Sequence, residues 1–143
     1  MSIPERPERS TSGSPRLLET LVGAELGSVV FVMDYIQFNF QPVGASGRSG
    51  RLSTYTLPRL IDLDGVIHHP GSPGYRDGLI DLIPHVVSHA SEVAAELRID
   101  FDNGRRLVVS LTVEDGVDVE AAMLTLADPD EWEVWRPGDI RGH

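Results

Sequence analysis

Apolar and polar residues alternate in two stretches of the chain: Ile36, Phe38 and Phe40 against Gln37, Asn39 and Gln41, and Leu97, Ile99 and Phe101 against Arg98, Asp100 and Asp102. A period of two sends successive side chains to opposite faces, so each stretch predicts a half-buried strand. Upstream of each, the spacing becomes helical, with Leu17, Leu18, Leu21 and Val22 in one case and Leu79, Ile80, Leu82 and Ile83 in the other. Both short helices would open on a Ser-Pro pair, Ser14-Pro15 and Ser72-Pro73, in which Ser can cap and Pro can occupy the first turn. Gly23 and Pro84 stand where each helix should break.

The two stretches superpose at a constant offset without a gap, Leu18 on Leu79, Leu21 on Leu82, Val22 on Ile83, Leu26 on Val87, Val32 on Val93, Ile36 on Leu97, Phe38 on Ile99 and Phe40 on Phe101. Identities are few, but the apolar pattern matches throughout. The expected fold is therefore α+β and mainly antiparallel β, with two pseudo-symmetric repeats, each a short helix followed by a β-meander. Residues 1–14 are expected to be a disordered arm, 15–137 a single duplicated domain with repeats at about 15–69 and 70–137, and 138–143 a frayed tail.

Register narrows the second repeat further. Leu107, Val109, Leu111 and Val113 must share the face of Phe101 and Ile99, which a three-residue loop, Asp102 to Gly104, achieves by setting Ile99 opposite Leu107. Gly104 should then be left-handed. In the first repeat Pro42 to Gly50 reads as a mobile loop before a strand from Leu52 to Leu57. Ala121–Leu126 and Glu131–Arg136 read as two further strands around an Asp128-Pro129-Asp130 turn.

At 143 residues one core suffices. Cysteine is absent, which excludes disulfides, thiolate metal sites and a Cys nucleophile, and suits a reducing compartment. The stretch from Met1 to Arg16 holds no apolar run, so neither a signal peptide nor a membrane anchor is expected, and a cytoplasmic location is. A formal net charge of -10 argues against nucleic acid as a partner and favours a basic protein. Every strongly basic residue is Arg and none is Lys, which excludes Schiff-base chemistry and a Walker A loop.

Leu60-Ile61-Asp62-Leu63-Asp64-Gly65-Val66-Ile67 resembles the first motif of the haloacid-dehalogenase-like phosphatases. By that resemblance Asp62 would be the nucleophile and Asp64 the general acid or base, with Mg²⁺ offsetting charge. That motif should end a central parallel strand early in an α/β domain, whereas here it follows a β-meander with little chain left. An acidic strand end running into a Gly65 turn is the competing reading, and the one favoured here.

His85, His89 and Glu92 have the spacing of ligands on one helix face, but the repeat alignment puts them in a strand, with His85 and His89 sharing a face. The adjacent His68 and His69 would point to opposite faces. No metal site and no cofactor is expected. Glu114, Asp115, Asp118 and Glu120 form an acidic cluster without the ligand order of an EF-hand. They suit steering of a basic partner. Trp132 and Trp135 should lie on opposite faces of one strand, one in the core and the other available as an interface anchor.

Val22-Gly23, Pro73-Gly74-Tyr75-Arg76-Asp77, the Phe101-Asp102-Asn103-Gly104 turn, Ser110-Leu111, Glu120-Ala121-Ala122 and the Trp-containing last strand together resemble a family of small uncharacterised bacterial proteins, of the kind found in GC-rich actinobacteria. That resemblance implies a fold and a bacterial source and carries over no catalytic residue. The functional expectation is a non-enzymatic acidic protein-interaction module, an inhibitor or immunity-type protein or a self-associating subunit, with no membrane or nucleic-acid partner. Its expected contact residues are Trp132, Trp135, Glu114, Asp115, Asp118 and Glu120. The alternatives are a small-ligand binder with a pocket between the repeats, and a Mg²⁺-dependent phosphoryl hydrolase using Asp62 and Asp64.

Overall fold

Ten strands and two short helical segments make up the framework of the described residues, which in the computed structural model are 17–112 and 120–138. In chain order the strands are β1 (Ala24–Val32), β2 (Tyr35–Pro42), β3 (Gly50–Thr54), β4 (Arg59–Ile61), β5 (Ile67–His68), β6 (Val87–Val93), β7 (Glu96–Phe101), β8 (Arg106–Ser110), β9 (Ala122–Leu126) and β10 (Glu131–Trp135). They form two five-stranded antiparallel sheets, ordered β1-β2-β3-β9-β10 and β5-β4-β8-β7-β6. The fold is mainly antiparallel β.

The alternation read from the sequence is what builds the inner faces. Ile36, Phe38 and Phe40 of β2, and Leu97, Ile99 and Phe101 of β7, are all buried, while their polar neighbours within the strands stay at least half-exposed or intermediate. With Leu26, Leu52, Leu107, Leu124 and Trp135 they close one continuous core. Each fully buried side chain of this size contributes about 1.5–3 kcal/mol relative to leaving it in water.

The β7–β8 hairpin follows the expected register, with Ile99 opposite Leu107 and Gly104 at φ +87°. Its loop is closed by the Phe101 N–H donating to the Arg105 carbonyl. Val113, expected on the same face, lies outside the described residues, as do the 1–14 arm and most of the 138–143 tail. β9, β10 and the turn between them fall within a residue of the expected bounds.

Several expectations need correction. Among the described residues only Tyr75–Ile80 is an α-helix (α1); Leu17–Leu21 is a single 3-10 segment. Ser72 does not cap α1. Its hydroxyl turns back to the His69 carbonyl and the cap position is a left-handed Gly74, because the chain reverses direction just before the helix starts. Within α1 and the residues after it, Leu79 and Leu82 are buried but Ile80 is exposed. The third strand of the first half is Gly50–Thr54 rather than Leu52–Leu57, since Tyr55 and Thr56 both donate to the Ala121 carbonyl as the chain leaves the sheet.

The meander is also interrupted. After β3 the chain crosses to the other sheet, where β4 pairs with β8, and after β8 it crosses back, where β9 pairs with β3. Each sheet is thus completed by a hairpin from the other half of the chain. The helical segments cross too, the 3-10 segment packing on β6 and β10 and α1 on β1 and β4. Periodicity identifies strands; it carries no information about which strand a neighbour will be.

Candidate functional site

The β4–β5 turn holds the two aspartates of the phosphatase-like motif. Asp62 follows β4 directly, and its Oδ1 accepts from the Leu63 N–H at 2.8 Å and from Arg105 Nε at 2.7 Å. Asp64 Oδ1 accepts from the Val66 N–H at 3.2 Å, so the second carboxylate shapes the turn. The Leu63 N–H first, and then the Arg105 guanidinium, hold Asp62 below the usual carboxylate range. With β4 a three-residue strand between antiparallel neighbours, the central parallel strand that the motif needs is missing from its place. The local arrangement is an ion-paired hairpin.

The histidines are dispersed. His85 precedes β6 instead of lying in it and sits 3.0 Å from Asp102 Oδ1, while His89 is in β6 beyond a bulge between Val87 and His89. Glu92 Oε1 accepts the Trp135 indole N–H at 3.0 Å. His68 Nε2 lies 3.4 Å from Asp62 Oδ2. Among the described residues no group of three or more His, Asp or Glu side chains is placed to hold a metal ion.

Of the expected contact residues, Trp135 is fully buried and Trp132 is 44% exposed, the division that opposite faces of one strand require. Next to Trp132, Glu131 is paired with Arg48 at 2.5 Å. Glu120 is half-buried; Glu114, Asp115 and Asp118 lie outside the described residues.

Two features were not singled out by residue chemistry. One is an open cleft of ≈ 580 Å³ beside the first crossover, lined by Met33, Asp34, Tyr55, Thr56, Leu57, Arg59, His69, Pro70 and Ser110. Arg59 in it is paired with Glu96 at 2.7 Å, and the buried Thr56 hydroxyl has no hydrogen-bond partner among the described residues. Burial pushes the Glu96 carboxyl up, but hydrogen bonds from Arg59 and Arg98 outweigh it and hold the group below its ordinary value.

The other is the outer strand β1. Val29, Val30, Phe31, Val32 and Met33 form an unbroken apolar run, of which Val29 and Phe31 pack against the core and Val30, Val32 and Met33 face solvent. Arg76 of α1 lies over the Phe31 ring, 5.0 Å from its centroid, covering the inner side. Among the described residues, what stays open is the outer face and, from Ser28 onward, the strand's own backbone edge; before that the edge bonds to residues 85–87. A signal for it was present, since an unbroken apolar run is more than a half-buried strand needs.

Comparison with protein-family models, with curated proteins and with solved structures finds no match to this chain.

Proposed function

We propose that this protein is a non-enzymatic interaction module of the cytoplasm, an inhibitor or immunity-type protein or a self-associating subunit, that binds another protein through the outer edge of β1. The single observation behind this reading is the solvent-facing run Val30, Val32 and Met33 on a strand that, among the described residues, has no neighbour on its outer side from Ser28 onward. An open edge offers unpaired backbone groups to an incoming strand, and its side chains set which strand fits. Trp132, exposed on β10 at the far edge of the same sheet, is a second anchor under this reading. Among the described residues no helix is long and apolar enough to cross a membrane.

The same reading takes residues 15–69 and 70–137 as repeats that exchange their last hairpins. It is supported by bulges at Leu26/Ser28 and Val87/His89, which fall on each other when the two stretches are superposed. It is supported again by the sheet orders, β1-β2-β3-β9-β10 and β6-β7-β8-β4-β5, in which the n-th strand of one half answers the n-th of the other. Membership of the family of small uncharacterised bacterial proteins belongs to this proposal and rests on the turn and core motifs quoted above.

The test is affinity capture from lysate of the source organism with the immobilised wild-type protein and a Val30→Lys/Val32→Lys variant, at low and moderate salt. A protein retained in stoichiometric amount by the first and lost from the second is the expected outcome. Equal retention by both removes the β1 edge as the binding surface, whereas no retention by either removes a tightly bound different protein and leaves self-association of the edge as the reading to measure. A second reading, a small-ligand binder, is favoured by the cleft beside the crossover, where Asp34, His69 and Thr56 bring polar groups among Met33, Leu57 and Pro70.

A further inference from the structure

We infer that the partner of the β1 edge is a second copy of this chain, the two β1 strands pairing antiparallel about a two-fold axis so that two five-stranded sheets become one. This rests on reading the protein as an interaction module and names its partner. The outer strands of the two sheets are β1, β10, β5 and β6. Folded proteins guard such edges by keeping them short or by placing charge on them, including charge that points inward. Three of the four follow that rule: β5 has two residues, β6 carries Glu92, and β10 carries Glu131 and the fully buried Glu133.

β1 has one charge, Glu25, and it sits at the end that bonds to the chain entering β6; the open part of the strand has none. From Ser28 to Val32 it holds no charged residue and no proline, and the apolar run continues into Met33, which is 95% exposed. The core does not require this. Val29 and Phe31 already supply the inward contacts, and Val30 and Val32, 41% and 38% exposed, lie outside the core cluster. In β6 the position that superposes on Val30 is Ser91.

Charge and area select the occupant. A basic partner is drawn to acidic side chains, and this stretch has none to offer. Two copies of a chain with net charge -10 repel at long range, and an uncharged edge is where they can touch with least opposition. An antiparallel pair about a two-fold axis is self-complementary, so one strand serves as both partners. Pairing of five or six residues a side buries less than the roughly 1,200 Å² of standard interfaces, which places the dimer in the weak, concentration-dependent class. Salt screens the repulsion and strengthens this dimer, whereas it weakens attraction to a basic partner.

The experiment is sedimentation velocity of the full chain from about 1 to about 300 μM, bracketing a micromolar Kd, at low and moderate salt, with backbone hydrogen exchange at both ends of the range. The mass should rise from one chain towards two, at lower concentration in moderate salt, and the amides in residues 29–33 that point away from β2 should slow as it does. Val30→Lys/Val32→Lys should stay monomeric with an unchanged circular dichroism spectrum. If that variant fails to fold, Val30→Thr/Val32→Thr replaces it and should shift the midpoint several-fold upward. A monomer throughout, with those outward amides fast, overturns the second copy but leaves the edge open to a different protein. A monomer in which those outward amides are slow shows that the chain covers its own edge and overturns both readings. A dimer unchanged in the variants also overturns the inference, because it forms elsewhere.

Discussion

Tyr75 illustrates how a single side chain links distant parts of this chain. Buried in α1, it donates its hydroxyl to the Pro58 carbonyl in the crossover between the sheets. Burial pushes its pKa up, so the folded protein keeps a proton that the unfolded chain gives up near pH ~10. Stability from this group is therefore fully present below the ordinary tyrosine range and falls as pH rises through and beyond it. Tyr75→Phe should cost about 1 kcal/mol at neutral pH through the orphaned carbonyl, and should flatten the alkaline decline. Urea midpoints of both proteins at neutral and at alkaline pH check this; parallel alkaline declines would remove Tyr75 as the cause. The sequence marks Tyr75 only as part of a turn motif, because nothing local predicts that Pro58 will lie above it. Trp132 and Trp135, by contrast, divide as expected into one outside and one in the core, since strand alternation separates them, but which of the two is buried came from the structure.

Among elements, the loop from Val43 to Ser49 shows what composition misses. Its glycines and serines read as mobility, and the structure adds contacts that composition does not show: Arg48 pairs with Glu131 and donates to the Ala127 and Pro129 carbonyls, and the Val43 and Ser46 backbones exchange hydrogen bonds. Gly47, at φ +80°, lies so close to β1 that a Cβ would fall 2.4 Å from the Ala24 nitrogen. Gly44, at φ +58°, has nothing within 4 Å of that position. Gly44→Ala should then cost only the left-handed backbone strain, about 1 kcal/mol, whereas Gly47→Ala adds a collision with backbone and should cost at least about 2 kcal/mol. Chemical denaturation of the two variants separates these effects; equal losses would mean that the loop moves away freely. The β7–β8 hairpin is the opposite case. Its register followed from requiring Leu107 to share a face with Ile99, a constraint entirely within adjacent strands.

For the whole molecule the hairpins that cross between sheets matter most. Sheet β1-β2-β3 is completed by β9 and β10, and sheet β8-β7-β6 by β4 and β5, so neither half of the chain contains a finished sheet. Cutting the chain in the loop after Gly71 should leave two fragments that each lack a cooperative thermal transition but regain one when mixed. Circular dichroism melts of each fragment and of the mixture test this, and a fragment that melts cooperatively alone would show that its own hairpin can fold back. The sequence by itself determined where most of the strands lie, which side chains of β2 and β7 enter the core, the β7–β8 register and the net acidity of the chain, because each follows from a period of two, from composition, or from residues a few positions apart. The tertiary structure alone decided that hairpins cross between sheets, that Asp62 is held by Arg105, and that among the described residues β1 is left with an open apolar edge from Ser28 onward. These are pairings between residues tens of positions apart, and strand periodicity is the same whichever partner a strand finds.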